Sequence, residues 1–251
     1  MTQLSDLVNF CNERSQISRV KDFPGAYNGL QFENSGQVTK IGAAVDSGLI
    51  PFQKSIAAGI DFLIVHHGMH WNGVRPAVGV EYQKIKALIE GNLAVYSCHL
   101  PLDAHPEIGN SAILATKLGI EACGTFAPYE GVDIGFVGSW QKSRIQLNDA
   151  LTELFGAKYS RIEFGSDTPE KICVVTGSGA SVVDLVKSTG ADTLITGELR
   201  QQHFNQAQEL GLNLYCCGHY ATETFGVEAL AKEAAAKFNL DFEFISTDCP
   251  L

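Results

Sequence analysis

Short, nearly continuous apolar runs alternate with stretches of helical period along most of the chain. The pattern predicts a helix near 4–14, a strand at 40–45, a helix near 51–58, a strand at 61–65, a helix near 82–90, a strand at 94–98 and a helix near 110–118. Strands that alternate with helices in this way build βαβ units, so an α/β fold is expected, with mixed sheets flanked by helices.

The second half repeats this order, and its residues repeat with it. Lys40-Ile41 is echoed by Lys171-Ile172 and Ser47-Gly48 by Ser178-Gly179. The run Gly59-Ile60-Asp61-Phe62-Leu63-Ile64 is echoed by Gly190-Ala191-Asp192-Thr193-Leu194-Ile195, every pair 131 positions apart. The offset then falls to 120, which sets His99 opposite His219 and Asp103 opposite Glu223 and leaves the first half with eleven extra residues around 68–80. Near the two starts, Leu4-Ser5-Asp6-Leu7 resembles Leu147-Asn148-Asp149-Ala150. The expectation is an internal duplication that gives two similar, intertwined α/β lobes, 1–125 and 126–251, in a single structural unit. Ligands of α/β sheets bind in crevices at strand ends, so the site is expected between the lobes. The inserted loop carries turn formers and the aromatic Trp71, as a site-lining loop would.

Composition narrows the function. A formal net charge of −10 argues against a broad footprint for nucleic acid or an anionic membrane, both of which need clustered Lys and Arg. A local basic groove stays open. Charged residues make up 18% of the chain, against about 25% in typical soluble domains, which points to surface covered by self-association. The stretch 1–9 lacks the basic start and apolar run of a signal peptide. No apolar run approaches the roughly 20 residues that span a bilayer, so a soluble cytoplasmic protein is expected. Seven scattered cysteines without a C-x-x-C pair read as reduced thiols, several of them in apolar strand-like runs.

Three places carry candidate chemistry. The strand at 61–65 ends in His66-His67-Gly68, two imidazoles at a strand terminus. Adjacent strand residues point to opposite faces, so both can serve one site only if the chain bends there, which Gly68 permits. The second place is His99-Leu100-Pro101-Leu102-Asp103-Ala104-His105-Pro106, whose prolines argue against a helix and would leave His99 and Asp103 on one face of an extended segment. The third is His219 and Glu223, four apart where a helix opens, a spacing that aligns both on one face. Each has a structural alternative: hydrogen-bonded strand-end histidines, a capping carboxylate, an intrahelical pair. Jointly, His66, His67, Asp103, His219 and Glu223 suit two divalent ions such as zinc, iron, manganese, cobalt or nickel, because imidazole and carboxylate donors fit these better than calcium. Two ions about 3.5–4 Å apart lower the pKa of a water, and hydrolysis is the natural chemistry.

Glu198 occupies the place of His67 in the second half and reads as a general base, an outer partner or a solvated carboxylate. His99 is a further catalytic candidate. His70 and His203 could line the cleft, and His105 closes a turn. Gly177-Ser178-Gly179 lacks a following Lys-Ser/Thr and reads as a turn, and no Gly-x-Ser-x-Gly element suggests a serine hydrolase.

Five segments together resemble the GTP cyclohydrolase I type 2 homologues, also called NGG-interacting-factor-three-like proteins. They are Tyr27-Asn28-Gly29-Leu30-Gln31, Val65-His66-His67-Gly68, His99-Leu100-Pro101-Leu102-Asp103, Ile195-Thr196-Gly197-Glu198 and Gly218-His219-Tyr220-Ala221-Thr222-Glu223. The resemblance implies a two-lobed α/β fold with a dinuclear centre at the lobe interface, and a toroidal homohexamer. It carries metal ligation onto His66, His67, Asp103, His219 and Glu223, with His99 close by. Gly68-Met69-His70-Trp71 resembles a shorter bacterial branch without the domain that longer members insert between the lobes. The implied activity is a GTP cyclohydrolase-like hydrolysis of a small nucleotide or heterocycle. The alternative is a non-enzymatic protein of DNA repair or transcription with a structural metal site.

Overall fold

The computed structural model describes residues 2–71 and 73–251; Met1 of the amino-terminal stretch and Asn72 of the inserted loop lie outside the described residues. The chain forms two compact units. One comprises Met1–Leu102 with Gly226–Asp248, the other Asp103–Phe225 with Cys249–Leu251. The units are therefore not the consecutive stretches 1–125 and 126–251, because the strand Asp241–Phe244 pairs with Lys40–Asp46 in the first sheet. Among the described residues no helix is long and apolar enough to cross a membrane.

The first unit holds a five-stranded sheet ordered Asp241–Phe244, Lys40–Asp46, Phe62–His67, Ala94–Ser97, Gly29–Phe32. All neighbours run parallel except Gly29–Phe32, which lies antiparallel to Ala94–Ser97. The interior strands are buried almost end to end, as expected where helices cover both faces and apolar residues need not alternate with polar ones. Leu63, Val65, Phe52, Leu88 and Val95 share one core with Ile245. Asp61 fixes the strand start, its carboxylate accepting from the backbone N–H groups of Thr39 and Lys40 at 2.9–3.1 Å.

The second unit holds a six-stranded sheet ordered Glu121–Tyr129, Val132–Ser139, Lys171–Ser178, Thr193–Glu198, Asn213–Cys216, Ser160–Glu163. Its three parallel strands repeat the register of the first sheet. Ile41 faces Phe62 and Ile172 faces Thr193; Ala44 faces Val65 and Val175 faces Thr196, each second pair 131 positions along from the first. The next strand pairs Ile64 with Tyr96 and Ile195 with Tyr215, an offset of 119 rather than 120, so one residue enters the second unit between this strand and His219. Asp192 again fixes a strand start, its carboxylate accepting from Ser166 N–H and the Thr193 hydroxyl.

Two local expectations change. Leu100–Asp103 is a one-turn helix, not an extended segment; Pro101 lies in its first turn, where no intrahelical N–H is required. The helix opening at His219 is interrupted: His219–Thr222 and Thr224–Phe238 flank Glu223, whose ψ of 5° departs from helical values.

Candidate metal centre

In the first unit the strand Phe62–His67 delivers His66 and His67, and the turn after Ala94–Ser97 delivers His99. One ring nitrogen of each lies within 4.8 Å of those of the other two. Ring centroids are 4.9 Å apart for His66 and His67 and 4.8 Å apart for His66 and His99. His66 is fully buried, and its Nδ1 lies 2.9 Å from the Cys98 carbonyl oxygen. A carbonyl only accepts, so Nδ1 carries the proton and Nε2 presents its lone pair. His67 Nδ1 meets Asp46 Oδ1 at 2.8 Å, and His99 Nδ1 meets Asp22 Oδ1 at 2.9 Å. All three rings therefore donate through Nδ1 to an oxygen, as metal-ligating imidazoles do when their outward nitrogen is fixed. The donor set fits a divalent transition-type ion.

Asp22 organises more than His99. Its two oxygens also accept from the backbone N–H of Phe23 and Leu100 and from Asn28 Nδ2, at 2.7–2.9 Å. Asn28 in turn accepts from the His99 N–H at 2.7 Å. Burial raises the Asp22 pKa, but the hydrogen bond and charge of His99, with those from Asn28 and Phe23, hold it below the ordinary carboxylate value. Gln31 accepts from Met69 N–H at 2.6 Å and donates to the Ala26 and Tyr27 carbonyls. Gly68 leaves room for Gln31, since a Cβ there would lie 2.2 Å from Gln31 Nε2; its φ is not positive, so no left-handed backbone calls for glycine. Trp71, 39% exposed, sets its ring edge-on to His99 at 4.6 Å and 5.6 Å from His67, so the inserted loop does line the imidazole cluster.

In the second unit His219 Nε2 meets Glu223 Oε1 at 3.1 Å, while Nδ1 meets Glu198 Oε1 at 3.2 Å. Glu223 is 4% exposed. Its hydrogen bond is the main reason that the His219 pKa rises to about 9; burial opposes this, and the Glu223 charge and Glu198 add to it. The pair meets despite the interrupted helix. Gly177 closes the space beneath, since a Cβ there would sit 2.2 Å from Glu223 Oε1 and 3.2 Å from His219 Nε2. It is thus more than a turn residue. Asp103, also buried, accepts from Asn110 Nδ2 at 2.8 Å through Oδ1.

The remaining candidates take plainer roles. His105 Nδ1 accepts from the backbone N–H of Glu107 and Ile108, which closes a turn. Buried His203 sets Nδ1 2.9 Å from both the backbone nitrogen and the carbonyl oxygen of Arg200, which ties down a turn. Burial pushes the thiols of Cys173 and Cys216 up to about 11 and that of Cys217 to about 12, so none is a thiolate nucleophile near neutral pH. Pattern reading missed Asp22, Asp46 and Gly177. Asp46 left a signal, because pairing the two apolar runs in register sets it beside His67.

A model of the Duf34/NIF3 (NGG1p interacting factor 3) family matches residues 2–250. The chain belongs to the Duf34/NIF3 family. Among Duf34/NIF3 relatives, a Pyrococcus abyssi protein named GTP cyclohydrolase 1 type 2 homolog is 36% identical, over 96% of this chain and 97% of its own length. A protein of the same name from Escherichia coli is 32% identical, over 99% of this chain and 98% of its own. A crystal structure of a Thermus thermophilus protein is 36% identical and superposes with a TM-score of 0.85, covering all of both chains. The Duf34/NIF3 assignment agrees with the resemblance read from the five segments.

Proposed function

We propose that this chain is a metal-dependent hydrolase of a small nucleotide or heterocycle, with two divalent ions per chain held by His66, His67, Asp103, His219 and Glu223. The observation that carries the reading is the shared state of three imidazoles in the first unit, each with Nδ1 bound to an oxygen acceptor and one ring nitrogen turned toward the others. A purely structural histidine has no need of that common orientation. The relatives named GTP cyclohydrolase 1 type 2 homolog point toward hydrolytic opening of a guanine ring as one form of this chemistry.

Bound divalent ions supply Lewis acidity, lowering the pKa of a water and favouring developing negative charge on oxygen. The protein supplies the rest. Asp22 fixes the His99 ring through Nδ1, which leaves Nε2 free to accept and return a proton. Glu198 orients His219 from Nδ1 as Asp46 orients His67. Trp71 shields the His99 side of the cluster from water. We propose further that the units arose by duplication, which the common strand register supports, and that the chain works in the cytoplasm as a toroidal homohexamer.

The test loads the full chain with zinc, manganese, iron, cobalt or nickel in turn, counts ions by mass spectrometry and follows turnover on GTP and a nucleotide panel. Two ions per chain are expected, with His66→Ala and Glu223→Gln each losing metal and turnover. Fewer than two ions per chain under replete conditions refutes the dinuclear reading. Full loading without turnover, joined to loss of assembly in Asp103→Ala and Glu223→Ala, refutes the hydrolase and favours a metal centre that holds an interaction protein together.

A further inference from the structure

The loop after the imidazole cluster borders a cavity of about 200 Å³ in the first unit, lined by Met69, His70, Arg75, Glu81, Lys84 and Ile85 among others. Its charge is unusual for a chain of net charge −10. Lys84 pairs with Glu81 at 3.1 Å, which leaves the Arg75 guanidinium uncompensated. Among the described residues, neither Arg75 nor His70 makes a side-chain hydrogen bond or ion pair; the His70 ring meets only Tyr27, edge to face at 5.6 Å. An arginine fork, an ammonium and an imidazole N–H thus surround one cavity with more donors than the protein itself uses. Neighbouring backbone is held firmly: Met69 N–H is tied to Gln31 and Gly73 N–H to the His70 carbonyl at 2.7 Å. His70 therefore stands beside tied backbone, next to the Trp71 that meets His99 and His67, while Lys84 stands on the helix Val80–Glu90.

We propose that this cavity is a phosphate-binding subsite that takes the phosphoryl group of a small phosphorylated substrate, through Arg75, Lys84 and His70. A phosphoryl group offers oxygen acceptors to a planar guanidinium and an ammonium, and its negative charge would offset the one positive charge that Arg75, Lys84 and Glu81 leave in surplus. Only the identity of the phosphate's carrier rests on the hydrolase reading; the subsite itself does not.

Trp71 provides the assay. The chain has two tryptophans, and the other, Trp140, is 2% exposed, so quenching by solutes added at the loop reports on Trp71. Pyrophosphate, inorganic phosphate and neutral guanosine are titrated into the full chain stripped of metal with chelator. Pyrophosphate and phosphate are expected to saturate the Trp71 signal, more weakly at high salt. Removing one charged donor by Arg75→Ala should raise the dissociation constant about tenfold or more, whereas Lys171→Ala, which is not among the cavity's lining residues, leaves it unchanged. Arg75→Lys should restore part of the loss. No saturable response to either anion, or equal losses in Arg75→Ala and Lys171→Ala, overturns the subsite. Metal counting is read separately, so an empty phosphate subsite with two ions loaded leaves the hydrolase proposal standing, and phosphate binding to a chain that never loads metal does the reverse.

Discussion

Replacing Gly177 with alanine separates two costs that the structure places at one residue. Gly177 has φ of +63°, and a Cβ there would meet Glu223 Oε1 at 2.2 Å. Left-handed backbone costs an L-residue roughly 1–2 kcal/mol. Gly119 isolates that cost, because its φ is 72° and nothing lies within 4 Å of an added Cβ. At about 2–4 °C per kcal/mol for a chain of this size, Gly119→Ala should lower Tm by roughly 2–8 °C. Gly177→Ala carries the same strain plus an overpacked carboxylate, which adds roughly 1–3 kcal/mol. Restoring ordinary contact requires the buried Glu223 oxygen to retreat by about 1 Å, beyond the ~0.5 Å that a ligand constellation tolerates. Metal affinity should then fall about tenfold to a hundredfold in Gly177→Ala, comparable to loss of a supporting partner, and stay intact in Gly119→Ala. Calorimetric melting and metal counting on both variants check this. Equal Tm losses with full metal retention in Gly177→Ala would refute the assignment of Gly177 as the floor of the Glu223 position.

Two further outcomes follow from the same geometry. Gly68→Ala forces Gln31 aside and should lower stability by roughly 1–3 kcal/mol, while Gln31→Ala costs the hydrogen bonds to Met69, Ala26 and Tyr27. Because the residues touch, the double variant should lose less than the sum, and strict additivity in chemical denaturation would contradict the contact. His219 should couple stability to pH in the metal-stripped chain. Its pKa is raised to about 9 in the fold, so its contribution is fully present below the unfolded value of about 6.5 and is lost as pH rises through about 9. Against His219→Gln, the wild-type advantage in Tm should therefore shrink between pH 7 and 10; an advantage that grows over this range would show the ring to be neutral in the fold.

Much of the fold was legible because apolar runs mark buried parallel strands, and a constant offset between halves exposes matched register even without pairing information. The residues that brace the site were less legible. Asp22 lies in Val20-Lys21-Asp22-Phe23-Pro24, a stretch without periodicity, and reaches His99 only through tertiary folding. Asn28 and Gln31 stood out as a motif, yet their roles depend on which backbone groups approach them. The hairpin joining Glu121–Tyr129 to Val132–Ser139 did leave a local signal: Glu130-Gly131 forms its two-residue turn with φ of 46° and 90°, the twist-matched geometry that glycine favours. The strand Asp241–Phe244 left none that names its partner, since edge addition to a distant sheet is decided by tertiary contacts.

The two sheets share a register and differ at one strand end, and that difference accounts for their different chemistry. In the first sheet the pairing of Ala44 with Val65 continues to Asp46 with His67, so a carboxylate lands beside an imidazole and orients it. In the second the register shifts between Val175 and Ser178, so Ser178 faces Glu198 and the position equivalent to Asp46 falls to Gly177. Gly177 leaves the ladder: its N–H goes to the Thr222 hydroxyl at 3.1 Å, and its carbonyl accepts from the Thr196 hydroxyl at 3.2 Å. A bulge of this kind re-aims neighbouring groups and opens space that a side chain would fill. Here the space is taken by Glu223, while the strand-end residue Glu198 turns to His219. One irregular residue thus exchanges a carboxylate-supported imidazole for an imidazole-supported carboxylate, which is how two sheets of the same pattern come to offer unlike donors.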